Sequence, residues 1–362
     1  MSKLKLPAGY KPAIDVLNTE KAIKKLKDYF EVAMADELCL QRVTAPLMVF
    51  PGTGINDDLN GSEPPVSFDI KDLQGRRVEV VQSLAKWKRM KLAALQLESG
   101  RGIYTDMNAL RPNEELTNLH SIYVDQWDWE LTIDIEDRNL DFLKRTVKKI
   151  FRVFKRAEEH ISKEYPALKK RLPDYITFVH AEELRAAYPD LSPKEREDRI
   201  ALKHGAVFII GVGGRLADGS IHDGRAADYD DWTTETAPGL HGLNGDILFW
   251  HPELEQAVEI SSMGIRVSPE ALLRQLELRQ EQFKRELLFH RALLAGNLPF
   301  CIGGGIGQSR TCMLLLQKAH IGEVQAGIWP EETHVLCIPP TNPIFSKSVS
   351  AFTFGQKSHE DN

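Results

Sequence analysis

Residues 303–310 read Gly-Gly-Gly-Ile-Gly-Gln-Ser-Arg and lead straight into the apolar run Cys312 to Leu316. Four glycines in five positions let a backbone approach a ligand closely. An arginine then arrives as an apolar helix begins, with Ser309 available as its N-cap. A helix N-terminus beside a guanidinium suits negative charge or a nucleotide ring. The segment matches neither G-x-x-x-x-G-K-[ST] nor G-x-G-x-x-G, so it is not the usual phosphate loop. Taken alone, it reads equally well as a glycine turn ahead of a buried helix.

Tyr123 to Glu130, Tyr-Val-Asp-Gln-Trp-Asp-Trp-Glu, is a second chemical segment. As a strand it puts Val124, Gln126, Asp128 and Glu130 on one face and Tyr123, Asp125, Trp127 and Trp129 on the other. Three aromatics send the second face to a core. The polar face is either solvated or lines an amino-acid pocket, where Asp128 could pair with an ammonium and Gln126 could bond a carboxylate or carboxamide. Asp246 and Glu259 sit on the two arms of a strand pair whose other residues include Ile247, Leu248, Phe249, Val258 and Ile260. Carboxylates there must be hydrated, metal-bound, or paired with Arg266 or another buried cation. Mg²⁺ on nucleotide phosphates takes one or two such carboxylates plus waters. Alternation puts Ser261 on the face of Glu259, and Ser262 opposite unless a bulge intervenes.

Other segments read more plainly. Ser83 suits a helix N-cap, and Lys86, Lys88, Arg89 and Lys91 a solvated face. Arg111, before Pro112, is on its own a surface-loop residue. Asn56 to Gly61 is a turn-rich loop. His222 to Asp231 is acidic and reads as an exposed loop, with Arg225 able to reach over a nucleotide.

Four segments taken in register resemble the ammonia-dependent asparagine synthetase family. They are Ser83-Leu-Ala-Lys-Trp-Lys-Arg89, Tyr123 to Glu130, Glu259-Ile-Ser-Ser-Met-Gly-Ile-Arg266, and Gly303 to Arg310. That family is related to the catalytic cores of class II aspartyl- and asparaginyl-tRNA synthetases. The likeness runs in order from about residue 20 to about residue 330. It implies an α+β fold, a class II aminoacyl-tRNA synthetase-like antiparallel sheet flanked by helices, and a homodimer. It also implies ATP-dependent amidation of L-aspartate by free ammonia, through β-aspartyl-AMP, with AMP and pyrophosphate released.

The resemblance assigns roles residue by residue. Arg111 and Arg310 clamp phosphates or adenine, and Asp246 and Glu259 hold Mg²⁺. Ser83, Lys88, Gln126, Asp128, Ser261, Ser262 and Arg266 surround aspartate. Asp57 contacts the group being amidated and receives ammonium, with Asp58, which is Asn in some relatives, the residue it could be confused with. Two further readings are an aspartyl- or asparaginyl-tRNA synthetase-like core and a catalytically inactive paralogue acting as a binding module. The first lacks an N-terminal anticodon-binding domain, and both arginines and both carboxylates speak against the second.

The elements that must position these residues follow from periodicity. Thr19 to Leu38 carries Ile23, Leu26, Phe30, Met34 and Leu38 at helical spacing, and Leu140 to Ile161 is a longer amphipathic helix. Leu272 to Leu294 reads as one helix. Leu40 to Phe50 is extended; Val66–Ile70 and Arg77–Gln82 form a hairpin around Asp72 to Gly75. Leu119 to Trp129, Ala206 to Gly211, and the pair Asp246–Trp250 and Gln256–Ser261 are strands. Strands in hairpins with helices between groups argue for a mixed α+β architecture. Residues 1–338 read as one catalytic domain and 339–362 as a polar tail.

Composition bounds the function. With 362 residues, 42% apolar and 27% charged, the chain is an ordinary globular protein. Lys plus Arg is 46 against 52 Asp plus Glu, a formal charge of −6, which favours small-molecule partners over nucleic acid. The four cysteines show no metal or disulfide spacing, which points to reduced thiols in a cytoplasm. No apolar run is long enough to span a membrane. The chain opens Met-Ser-Lys, without the N-terminal cysteine nucleophile of one type of glutamine amidotransferase, so free ammonia is the expected nitrogen donor.

Overall fold

A computed structural model of the chain describes residues 4–5, 7–57, 64–330 and 333. Asp15 caps helix α1 (Val16–Leu38) by accepting from Asn18 N, and Leu26, Phe30, Met34 and Leu38 form its buried stripe. Short strands β1 (Leu40–Arg42) and β2 (Met48–Val49) follow. Strands β3 (Ser67–Ile70) and β4 (Arg76–Val80) form the expected hairpin, and β2 pairs with β4 to complete a three-stranded sheet. Helix α2 (Ala85–Leu95) leads to β5 (Gly102–Leu110) and β6 (Tyr123–Thr132), an antiparallel pair. Helix α3 (Leu140–Glu164), capped by Asn139, buries its predicted stripe from Leu143 to Ile161.

Then come β7 (Thr177–His180), α4 (Ala181–Ala187), α5 (Pro193–His204) and β8 (Ala206–Ile210). A small hairpin, β9 (Glu235–Ala237) and β10 (Leu240–His241), precedes β11 (Asn244–His251) and β12 (Gln256–Ile265). The chain continues through α6 (Pro269–Arg279), α7 (Leu288–Leu294), β13 (Cys301–Gly307) and α8 (Gln308–Leu315). Among the described residues, no helix is long and apolar enough to cross a membrane.

Eight strands make the main sheet, in the order β1-β5-β6-β13-β12-β11-β8-β7. Its interior pairs are antiparallel and only the outermost pairs, β1–β5 and β7–β8, are parallel, so the sheet is mixed. One face carries Trp127, Trp129, Ile247, Phe249, Val258, Ile260, Ile302 and Ile306 against α1 and α3 in the principal core. Phe30 stacks on Trp127, with ring centroids 4.6 Å apart. The opposite face is apolar under α4 and α5, through Val207, Ile209, Leu248 and Ala257, and polar at its centre.

Several expectations change. The glycine run is neither loop nor turn: Gly303 to Gly307 lie within β13, between β6 and β12. The reason is space. A Cβ on Gly303 would stand 2.0 Å from Glu130 Oε2, and one on Gly305 would stand 2.2 Å from Gln126 Oε1. Ser309 is not the N-cap of α8, a position held by Gly307. Ser309 donates its N–H and its hydroxyl to Asp125 on β6, at 3.0 and 2.8 Å, so the cap of this helix is long-range.

The helix expected over Leu272–Leu294 is broken. Gln280 adopts φ 59°, a 3₁₀ turn spans Gln282–Glu286, and α7 starts afresh. Strand β6 begins at Tyr123 rather than Leu119. Asp58, Cys337 and residues 339–362 lie outside the described residues.

Candidate functional site

The polar centre of the sheet is built from three adjacent strands. Strand β6 supplies Gln126, Asp128 and Glu130; β13 lies beside it with Gly307, Gly305 and Gly303 opposite them. Strand β12 then aligns Ser262 with Gly305 and Gly264 with Gly303. Glycines in the middle strand leave the room that the flanking polar side chains fill. Two cavities stand on this floor. The larger is a cleft of about 410 Å³, and the smaller holds about 110 Å³. They share Arg111, Gln126, Tyr229, Ser262 and Gly305.

The larger cleft also takes in Glu259, Arg310, His120, Ser121, Ser309 and Arg225. Arg310 Nη1 donates to Glu259 O at 2.9 Å, which fixes the guanidinium at the mouth of α8. His120 accepts or donates at 2.8 Å with Thr117 Oγ1. Burial, with the charges of Arg310 and Arg111 beside it, pushes its imidazole down to about 3, so it is neutral. The smaller cavity takes in Asp57, Ser83, Lys88, Asp128 and Arg266. Among the described residues to which the resemblance assigns a role, only Ser261 and Asp246 line neither.

Ser261 is displaced by a register shift. Opposite Ile247 and Leu248, strand β12 spends an extra residue between Ser261 and Glu259. The bulge carries Ser262 onto the face of Glu259, while Ser261 is buried. Asp246 stands behind Arg225, whose Nη2 donates to it. Burial first, then the carboxylates of Glu259 and Asp223, raise Asp246 to about 8 against the pull of Arg225. The buried cation foreseen for this pair is therefore Arg225, and Arg266 has other partners.

Arg266 clamps Glu130 with two parallel hydrogen bonds of 2.8 and 2.7 Å and also donates to Asp230. Burial would raise Glu130, but the Arg266 charge and hydrogen bonds, with Lys88, hold it below its ordinary value. Asp128 behaves oppositely: burial raises it despite Lys88, 3.4 Å away, and Arg266. A cationic ligand in the small cavity would supply what Asp128 lacks. Lys88 is buried and donates to Trp129 O at 3.0 Å and Gly304 O at 3.1 Å, tying α2 to the floor.

The surface reading of this helix fails, since Lys86, Lys88 and Arg89 are all buried. Lys86 reaches Asp228 at 2.9 Å, and His290 meets the same oxygen at 2.9 Å. The exposed-loop reading of 222–231 fails with it, because Asp228, Asp230 and Asp231 are buried and ion-paired. Sequence reasoning missed Tyr229, Asp230, His120 and Glu130 as site residues. The signal for the first two was a run of acids interrupted by one tyrosine, which acquires meaning only against the arginines of other elements.

A family model described as aspartate-ammonia ligase matches residues 17–339. An aspartate–ammonia ligase of Bacteroides fragilis is 57% identical over 337 residues, 93% of this chain and 98% of that protein. One from Clostridium perfringens is 55% identical over the same share of each chain. Among solved structures, asparaginyl-tRNA synthetase from Pyrococcus horikoshii complexed with asparaginyl-adenylate superposes with a TM-score of 0.65 at 15% identity, over 86% of this chain and 70% of that one. The Entamoeba histolytica asparaginyl-tRNA synthetase, also with asparaginyl-adenylate, gives 0.61 at 16% identity, over 86% and 66%. At these identities the likeness speaks for the fold alone, which is that of a class II synthetase core.

Proposed function

The chain belongs to the aspartate–ammonia ligase family and is a ligase, and from that premise we propose that it makes L-asparagine from L-aspartate, ammonia and ATP through a β-aspartyl-AMP intermediate. The observation that carries the reading is the pair of cavities sharing one wall. A nucleotide fits the 410 Å³ cleft, an amino acid the 110 Å³ cavity, and their reacting ends meet at Arg111, Gln126 and Ser262.

Oxide is too poor a leaving group for direct amidation of a carboxylate. Adenylation replaces it with a phosphate. The β-carboxylate attacks the α-phosphorus and pyrophosphate departs with the electron pair of the broken P–O bond. Ammonia then adds to the acyl carbon, and AMP leaves with the electron pair of the C–O bond. The protein's part is positioning and charge stabilisation. Arg111 and Arg310 would face the phosphates and adenine. Asp128 would take the substrate ammonium, Gln126, Ser83, Lys88 and Ser262 its polar groups, and Arg266 would act through Glu130 and Asp230. Asp57, buried in the small cavity, would receive ammonium and help deprotonate it.

Mg²⁺ suits the donor set. Glu259 lines the larger cleft, and burial first, then the Glu259 charge, raise Asp246 against the pull of Arg225; a dication would favour the ionised form of both carboxylates. Glu259 and Asp246 would hold it, with Arg225 sharing Asp246, and the ion when bound neutralises the polyphosphate. On the same reading residues 1–338 form one catalytic domain, and the protein acts as a cytoplasmic homodimer without nucleic-acid or membrane partners.

The test is to supply aspartate, ATP and ammonium and to measure asparagine, AMP and pyrophosphate, together with aspartate-dependent exchange between pyrophosphate and ATP. Equal yields of asparagine and AMP are expected. ADP and phosphate as products, or no exchange, would refute the adenylate route. Glutamine freed of ammonia should not replace ammonium.

A further inference from the structure

Five residues line both cavities, and one of them, Tyr229, was marked neither by its sequence nor by any resemblance. A side chain on that shared wall meets the atoms that react, because the acid enters from one cavity and the phosphate from the other. Tyr229 is also held firmly. Val267 N donates to its carbonyl at 2.9 Å. Its neighbours are each anchored by buried ion pairs, Asp228 to Lys86 and Asp230 to Arg266.

The orientation selects which part of the tyrosine is available. The Arg266 guanidinium lies over the ring, 5.8 Å from its centroid, so that face already serves a cation. The hydroxyl is the one group of this side chain able to hydrogen-bond a ligand. Asp57 lines the smaller cavity with it. Burial, and then the Asp57 charge, hold the phenol well above its ordinary range, so it stays protonated. A phenol offers one donor and acceptor lone pairs at a fixed distance from its ring.

We propose that the Tyr229 hydroxyl accepts a hydrogen bond from the incoming nitrogen, jointly with the Asp57 carboxylate, and aims ammonia at the acyl carbon where the two cavities meet. This rests on the adenylate reading above and names a residue that touches the nucleophile. Ammonium gives up one proton to the Asp57 carboxylate, and the nitrogen lone pair forms the N–C bond. The C–O bond to phosphate breaks with its electrons leaving on AMP, and the second proton passes from the nitrogen to the departing phosphate. Tyr229 keeps its own proton throughout; it replaces a water that would otherwise solvate the ammonium and compete for the acyl group.

The decisive variant is Tyr229→Phe, which keeps the ring under Arg266 and removes only the hydroxyl. The half-saturating ammonium concentration should rise about tenfold, with the requirements for aspartate and ATP changed less than about twofold. Aspartate-dependent pyrophosphate–ATP exchange should persist, which also reports an intact fold. An unchanged ammonium requirement overturns the proposal. So does a parallel rise for aspartate, or loss of exchange, since either would make the hydroxyl part of acid binding or of the scaffold. Failure of exchange in the unaltered protein defeats the adenylate reading itself and is distinct from both.

Discussion

Acidification charges a histidine in the unfolded chain that the fold keeps neutral. His120 lines the larger cleft together with Arg111 and Arg310, and burial with those two charges lowers it from 6.5 to about 3. A depressed histidine binds its proton more weakly in the folded state, so folding loses stability as pH falls through the unfolded value of 6.5 towards 3. At about pH 7.5 neither state is protonated and the contribution is close to zero. At about pH 5 the unfolded chain is protonated about thirtyfold over its neutral form while the folded protein is not, which costs about 2 kcal/mol.

Carboxylates, and the similarly lowered His180 and His251, change stability over the same range. The quantity to read is therefore a difference of differences. His120→Gln keeps a polar partner for Thr117 and removes the titration. Urea unfolding at the two pH values, compared between variant and unaltered protein, should show the variant losing about 2 kcal/mol less. Equal losses in both proteins would refute the reasoning and mean that His120 takes up its proton in the fold, through water or movement of the arginines.

Arg111→Ala and Arg310→Ala should each lower turnover about 10²- to 10³-fold while the protein stays folded, and near-normal turnover would remove that residue from the site. Gly305→Ala places a Cβ 2.2 Å from Gln126 Oε1 and 2.6 Å from Asp128 Oδ1, so the aspartate KM should rise about tenfold or more; an unchanged KM would show that the two side chains move aside freely. Lys86→Met leaves the buried Asp228 carboxylate with the His290 hydrogen bond and the more remote Lys284 charge and should cost about 3–5 kcal/mol in urea unfolding, whereas a cost below about 1 kcal/mol would mean that water has taken the place of the lysine. Burial raises Cys312 to about 12, leaving about 10⁻⁵ of it as thiolate at about pH 7 and about 10⁻⁴ at about pH 8. Iodoacetamide followed by peptide mass mapping should find exposed Cys39 modified and Cys312 untouched; rapid labelling of Cys312 would overturn its placement in the core.

Local periodicity determined much of this protein. The alternation along Gln126 to Glu130 separated the core tryptophans Trp127 and Trp129 from the polar face, because a strand's side-chain period is fixed by its backbone and large aromatics send their face to the core; at the start of the strand it fails, since Tyr123 and Asp125 line the larger cleft. The same logic found the stripes of α1 and α3. Order of motifs along the chain was enough for the family. Tertiary structure decided what periodicity cannot carry.

The run of glycines took its strand conformation from β6 and β12 on either side, and no local signal distinguishes a glycine strand that makes room for neighbours from a glycine turn. The bulge in β12 is a matter of register with β11, and one extra residue exchanged Ser262 for Ser261. Lys86, Lys88 and the acids of 222–231 read as solvent-facing because charge is usually solvated. Asp223 is exposed, but Lys86, Lys88, Asp228, Asp230 and Asp231 are buried, because each meets its partner from another part of the chain: Lys86 with Asp228, Lys88 with Asp128 and Glu130, Arg266 with Asp230, and Arg138 with Asp231. Pairing of charges across such separations has no period, so it is written only in the folded form.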